Sequence, residues 1–207
     1  FTQPRTPEEV RRELAAYYAV ISHMDEQIGR ILKSLDKTGR GDTLIVFTSD
    51  HGLAIGSHGL RGKQNMYEHT IGVPLIMAGP GIPAGKRTPA ACYLRDLYPT
   101  VCDLCHIPIP ESVQGKSLAA VIAGKADAVY PFTVGYFSNT QRMIRTDRWK
   151  YIWYPQAVRE QLFDLQQDPN EQHSLDKSSR QAGRMKELRE QLLSWLRDHN
   201  DPLLQQQ

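Results

Sequence analysis

Cysteine is scarce in this chain of 207 residues, which holds only Cys92, Cys102 and Cys105. An odd, small number implies no complete disulfide framework, so the fold must rest on an ordinary packed core. No apolar run is long enough to span a bilayer, so no membrane span is expected. Charge of one sign is equally lacking: the formal net charge is +2, which argues against a nucleic-acid surface. No internal repeat or low-complexity block is found beyond Gln205 to Gln207. The opening Phe1-Thr2-Gln3-Pro4 has no initiator Met and no charged-then-apolar leader, so a fragment or a processed chain is expected. Hydrophobic residues at 40% and charged residues at 23% are ordinary for a globular protein, and the length suits one domain or a domain with a small subdomain.

The most informative stretch runs from Thr43 to Lys63. Leu44-Ile45-Val46-Phe47 is too short for a helix and reads as a strand buried on both faces. It stops at Thr48-Ser49-Asp50-His51-Gly52, which sets a carboxylate and an imidazole side by side at the carboxyl end of a strand. In open α/β sheets ligands bind at that end, and both side chains are good donors to a divalent metal. Gly52, Gly56, Gly59 and Gly62 follow, and His58, Arg61 and Lys63 ride on that loop. A metal pair followed by cationic groups suits an anionic ester. Asp, His and Gly after a strand also make an ordinary turn, and spacing alone leaves both readings open.

Before this stretch, Thr6-Pro7-Glu8-Glu9 has the form of a capping box with proline at the first helical position. Apolar residues from Val10 to Leu35 recur at alternating steps of four and three, which allows a coiled coil. Ala15, Ala16, Tyr18, Ala19, Val20 and Leu32 widen the stripe and favour a helix packed on a sheet. Gly39 and Gly41 end it. After it, Val73 to Ala78 reads as a second strand, with Glu68 and His69 bracing the loop that presents Lys63. Asp96 begins a short amphipathic helix. That helix carries Cys102-Asp103-Leu104-Cys105-His106, the spacing of a c-type haem attachment site. The competing reading makes both cysteines part of its packed apolar side. Structural zinc would want four ligands, and only Cys92 is left to supply one more thiolate.

From Tyr130 four strand-like runs follow closely: Pro131 to Phe137, Arg142 to Thr146, Trp149 to Tyr154 and Gln161 to Leu165. Strands without intervening helices imply an antiparallel sheet. A last helix shows Met185, Leu188, Leu192, Trp195 and Leu196 on one face. Asp168-Pro169-Asn170-Glu171 lacks the acidic alternation of a calcium loop and reads as a turn.

Taken together, TSDHG, HGLRGK, Tyr67-Glu68, Val73-Pro74-Leu75-Ile76, YYAVISHMDEQIGRIL, Gly115-Lys116-Ser117-Leu118, RTDRWKYI and LFDLQQDPNE resemble the later part of a formylglycine-dependent sulfatase of the alkaline-phosphatase superfamily. The resemblance covers nearly the whole chain. It implies an α/β fold: the later half of an alkaline-phosphatase-like sheet-and-helix core over 1–129, and a small antiparallel α+β carboxyl-terminal subdomain over 130–207. It implies metal ligation by Asp50 and His51, with Ca²⁺ or another divalent cation, sulfate contact by Lys63, and a leaving-group or substrate-binding role for His58. A loop-bracing role for His58 stays open beside that one. The implied substrate is a sulfated small molecule or sulfated glycan, and the implied setting is periplasmic or secreted. The Cys/Ser-X-Pro-X-Arg motif that yields formylglycine does not occur, and the family's early acidic metal pair is missing too. The nucleophile is therefore expected upstream, and the chain alone is expected to be inactive. A phosphonate monoester or phosphodiester hydrolase of the same superfamily is the alternative. A non-catalytic binding or c-type haem domain is the alternative from another class.

Overall fold

A computed structural model describes residues 6–205. Helix α1 spans Pro7–Lys37, and its start is the capping box: the Glu9 amide donates to Thr6 Oγ1 at 3.2 Å, and the Thr6 amide donates to Glu9 Oε2 at 2.7 Å. Its end is a left-handed Gly39 (φ 70°), which lets the Arg40 amide reach back to the Leu35 carbonyl. The predicted packing on a sheet is not what the structure shows. No residue of α1 is buried, and Tyr18, Val20 and Ile31 are each more than half exposed. Its described contacts gather near its start, where Val10 lies against Gly56 and Glu13 pairs with Arg61. A stripe of this kind marks a helix, but burial needs a facing apolar surface.

Strand β1 (Ile45–Thr48) pairs antiparallel with β4 (Leu75–Ala78), from Ile45↔Ala78 to Thr48↔Leu75. All four residues of β1 are only half-buried, which corrects the expected burial on both faces. A two-stranded ribbon has one neighbouring strand and too little mass to cover two faces. Between these strands, β2 (Ala54–Ile55) and β3 (Arg61–Gly62) form a small hairpin around a tight turn at Ser57–Gly59, and α2 covers Glu68–Ile71.

Helix α3 (Leu97–Leu104) and the short α4 (Ala119–Ile122) follow. Buried Asp96 joins the turn at Gly115 to Leu118 to α3: its carboxylate accepts from the Tyr93 amide, the Lys116 amide and the Tyr130 hydroxyl. Cys102 is buried and Cys105 exposed, which corrects the placing of both cysteines on the packed side. With the thiols in such different surroundings, the haem reading loses its geometric basis.

Strands β5 (Thr133–Phe137), β6 (Gln141–Arg145), β7 (Trp149–Tyr154) and β8 (Arg159–Asp164) form one antiparallel sheet in sequence order. Alternation gives the sheet two different faces. Val134, Ile144, Tyr151 and Leu162 meet Leu188, Leu192 and Leu196 of α5 (Ala182–Asp198). Met143, Ile152 and Phe163 face the other way and meet Met66 and Tyr67. A short α6 (Pro202–Gln205) closes the described chain, tied down by a two-pronged Arg142–Asp201 pair with both contacts at 2.9 Å. The second face of the sheet, not the α5 face, supports the candidate site.

Candidate active site

The chain leaves β1 into a tight knot. The His51 amide donates to Asp50 Oδ1 at 2.9 Å, and the Ser49 hydroxyl donates to the His51 carbonyl at 2.9 Å. The Gly52 amide donates to the Thr70 carbonyl at 2.8 Å. A Cβ at position 52 would lie 2.1 Å from the His69 carbonyl oxygen, so only glycine allows β1 to end against α2.

His51 Nδ1 lies 3.0 Å from the Gly52 carbonyl, which can only accept, so Nδ1 carries a proton. Nε2 is then the ring atom turned to the rest of the cluster. That atom is 3.2 Å from Asp50 Oδ2 and 2.8 Å from Lys63 Nζ. The Lys63 ammonium is the cation that stands against the imidazole here. The hairpin explains how Lys63 arrives: the register Ala54↔Gly62 folds the chain back so that residue 63 returns beside the end of β1. The Asp50 carboxyl is held below the usual carboxylate range, first by the His51 amide and further by the His51 ring.

One carboxylate oxygen and one imidazole nitrogen 3.2 Å apart fit part of a divalent-cation shell. Among the described residues, no group of three or more His, Cys, Asp or Glu side chains comes together to complete it. A cleft of about 1190 Å³ runs from Thr48 and Asp50 along β4 to Tyr93 and Arg145.

His58 has a left-handed backbone (φ 54°, ψ 23°) within the turn of the hairpin. Its ring lies flat on Tyr67, with centroids 3.9 Å apart and planes 8° apart, and His69 lies 5.3 Å away. The structure thus joins Asp50, His51 and Lys63 in one cluster and places the ring contacts of His58 in a second, aromatic one. Burial lowers the pKa of His58. It pushes that of His69 down to about 4, helped by the charges of His58 and Lys150. The His69 Nε2 atom is buried without a hydrogen-bond partner.

Glu68 braces the loop. Its carboxylate accepts from Lys150 Nζ at 2.7 Å and from Arg145 Nε at 2.9 Å, while Glu171 Oε1 stands 2.7 Å from the same ammonium. Burial raises the pKa of both carboxyls. In Glu68, Lys150 and Arg145 more than offset it; in Glu171, where Lys150 is the one cation in contact, burial wins. Reading the sequence missed Lys150, Arg145, Glu171 and Gln161 as supports for this loop. The available signal was a lysine inside the apolar run Trp149 to Tyr154, where a charge is tolerated only if paired.

Known proteins match this chain over most of its length. The family description "Sulfatase" matches residues 1–107, and "N-sulphoglucosamine sulphohydrolase, C-terminal" matches residues 56–198. The chain is 38% identical over 181 residues to arylsulfatase K of Gallus gallus, covering 80% of this chain and 34% of that protein. It is similar to the solved structure of BT4656 in complex with its substrate D-glucosamine-2-N,6-O-disulfate (TM-score 0.79, 30% identity, 90% of this chain and 41% of that one). It is also similar to the phosphonate monoester hydrolase of Agrobacterium radiobacter (TM-score 0.80, 29% identity, 94% of this chain and 43% of that one). The chain thus spans about a third of the length of the curated relatives it matches.

Proposed function

The chain belongs to the sulfatase family, and from that premise we propose that it supplies the cation-holding and sulfate-contacting part of a sulfuric ester hydrolase. The observation that carries this reading is the cluster of Asp50 Oδ2, His51 Nε2 and Lys63 Nζ at the end of β1. Asp50 and His51 are the residues that would hold a divalent cation, Ca²⁺ in the first instance. Bound there, such a cation offsets the charge of an anionic ester and lowers the pKa of an oxygen nucleophile. The Gly52 carbonyl engages His51 through Nδ1 and so leaves Nε2 turned to the site. Lys63 is the cationic side chain of the cluster. With a cation held by Asp50 and His51, the Lys63 ammonium would face the oxygens of the ester, where it would stabilise negative charge as the bond breaks. His58 faces the same substrate as a hydrogen-bonding group or as the acid that protonates the leaving oxygen.

In this reading 1–129 is the later part of the catalytic core and 130–207 is a supporting subdomain. The nucleophile, a formylglycine, comes from residues outside these 207. The substrate is a sulfated small molecule or a sulfated glycan, met in a periplasmic or secreted setting. Among the described residues no helix is long and apolar enough to cross a membrane. Similarity to a phosphonate monoester hydrolase favours that activity as the second reading. The ratio of turnover on an aryl sulfate to turnover on an aryl phosphonate separates the two.

The test is Lys63→Ala in the whole enzyme that contains this chain. Turnover of an aryl sulfate should fall about a hundredfold, which corresponds to ~3 kcal/mol, while the melting temperature stays put. Normal turnover with a lowered melting temperature would make Lys63 a loop-bracing residue and sink the assignment.

A further inference from the structure

The segment Gln64 to Glu68 is gripped almost residue by residue by the carboxyl-terminal sheet and the loop that follows it. The Gln64 carbonyl accepts from Gln141 Nε2 at 3.0 Å, and the Met66 carbonyl accepts from Lys150 Nζ at 3.1 Å. The Tyr67 hydroxyl donates to Gln161 Oε1 at 2.9 Å, and the Glu68 amide donates to Glu171 Oε2 at 2.6 Å. Arg145, Lys150, Gln161 and Phe163 lie on one face of the sheet, because Arg145↔Lys150, Lys150↔Phe163 and Ile152↔Gln161 are cross-strand partners in register. That face sets these polar and charged groups beside Met143, Ile152 and Phe163, which pack on Met66 and Tyr67. A lysine with no exposed side-chain surface is costly unless its partners are fixed, and here it fixes a loop.

Tyr67 is the one member of this segment that touches the second cluster. It is 8% exposed. One ring face carries His58, its edge meets Phe163 at 6.1 Å and 65°, and its hydroxyl shares Gln161 Oε1 with the Tyr154 hydroxyl. The ring is therefore held from behind at both ends. His58 has a backbone conformation uncommon for a residue with a side chain, and the flat stack is what fixes its ring. We propose that Tyr67 is a positioning residue: anchored on Gln161 of the carboxyl-terminal sheet, its ring sets the place and tilt of the His58 imidazole. The inference rests on the reading of His58 as a substrate-facing group. It extends the site by one layer, to Tyr67 and then Gln161, and makes the sheet part of the apparatus that aligns substrate. Burial of the His58 ring, with Asp168 and Lys150 as the charges that act on it, agrees with this placement.

The test is a double-mutant cycle on aryl sulfate turnover in the whole enzyme, with His58→Ala, Tyr67→Leu and the pair. His58→Ala should lower kcat about a hundredfold, in the range for loss of a positioned acid. Tyr67→Leu should lower kcat at least tenfold with little change in KM, since a slightly misplaced group costs rate more than binding. The pair should match His58→Ala within about twofold, because Tyr67 acts through a ring that is no longer there. Tyr67→Phe, which keeps the stack and loses the anchor on Gln161, should recover only part of the loss. If the two losses multiply in the pair, Tyr67 is structural and the inference is overturned while the reading of His58 stands. If His58→Ala turns over normally, both are overturned. Should Tyr67→Leu fail to fold, Tyr67→Met fills similar space without a ring and carries the same cycle with the same expected outcomes.

Discussion

Helices α1 and α5 carry the same kind of apolar stripe and meet opposite fates. α5 buries Leu188, Leu192 and Leu196 to 2% exposure or less, whereas α1 buries nothing and shows Tyr18, Val20, Met24 and Ile31 to solvent. The two regions around them differ in the same way. Residues 130–205 hold a four-stranded sheet with a core on each face, while β1 and β4 form a two-stranded ribbon whose Ile76 is 59% exposed. Periodicity reports only that a helix has a side meant for covering. Whether it is covered depends on a partner surface that periodicity does not reveal. The candidate chemistry sits on the thinly packed region, and the stiffness needed to hold it comes from the densely packed one.

The sharpest way to break this comparison is to cut the bond between the regions. Lys150→Met should destabilise the protein by ~3–5 kcal/mol, because it removes the cation from buried Glu171 and leaves Glu68 with Arg145 alone. Chemical denaturation should show the loss, and hydrogen exchange should place part of it at Met66 to Glu68, in the other region. Protection unchanged at those amides would mean that the ion cluster does not couple the two.

Next in size is the contrast between the helices themselves. Leu192→Ala should cost 2–5 kcal/mol by opening a cavity in the α5 core, roughly the range for such truncations. In the same chain, Ile31→Ala on exposed α1 should stay within about 0.5 kcal/mol. Repeating Ile31→Ala in the whole enzyme sharpens the point. A cost above about 1 kcal/mol there would mean that α1 is covered in that context.

Much of this was legible in the sequence, and the reasons are local. The capping box at Thr6, the alternation of β5 to β8 and the stripe of α5 are all set by residues a few positions apart. Asp50, His51 and Lys63 could be grouped because one short hairpin joins them. The supports could not: Glu68 and Glu171 are 103 residues apart, and Met66 and Lys150 are 84 apart. Nothing local in Tyr67 distinguishes a platform for an imidazole from an ordinary core tyrosine. The expected double-sided burial of β1 failed for the complementary reason, since an apolar run reports an appetite for burial and not its satisfaction.

A further expected effect is in pH dependence. The pKa of His69 falls from 6.5 to about 4 on folding, so between those values the unfolded chain binds a proton that the folded one refuses. Its contribution to stability is thus complete above about pH 6.5 and is lost as pH falls towards 4. The raised carboxyl of Glu171 works in the opposite direction, so the total curve mixes signs. The difference between wild type and His69→Asn isolates the histidine. The gap between their melting temperatures should shift steadily in favour of the mutant from pH 6.5 to pH 4.5. A gap independent of pH would show that His69 is not desolvated by its neighbours.

The nearest-neighbour order of β5 to β8 has a consequence in time. Each strand pairs with the one made just before it, so the sheet closes only short loops and is quick to form. The grip on Met66 to Glu68 closes loops of more than eighty residues and follows later. During synthesis, Asp50 to Lys63 leave the ribosome long before Lys150 and Glu171 exist to hold the loop beside them. The candidate site is therefore written early in the chain and assembled late, when the last strands have been made and Glu171 has swung under its lysine.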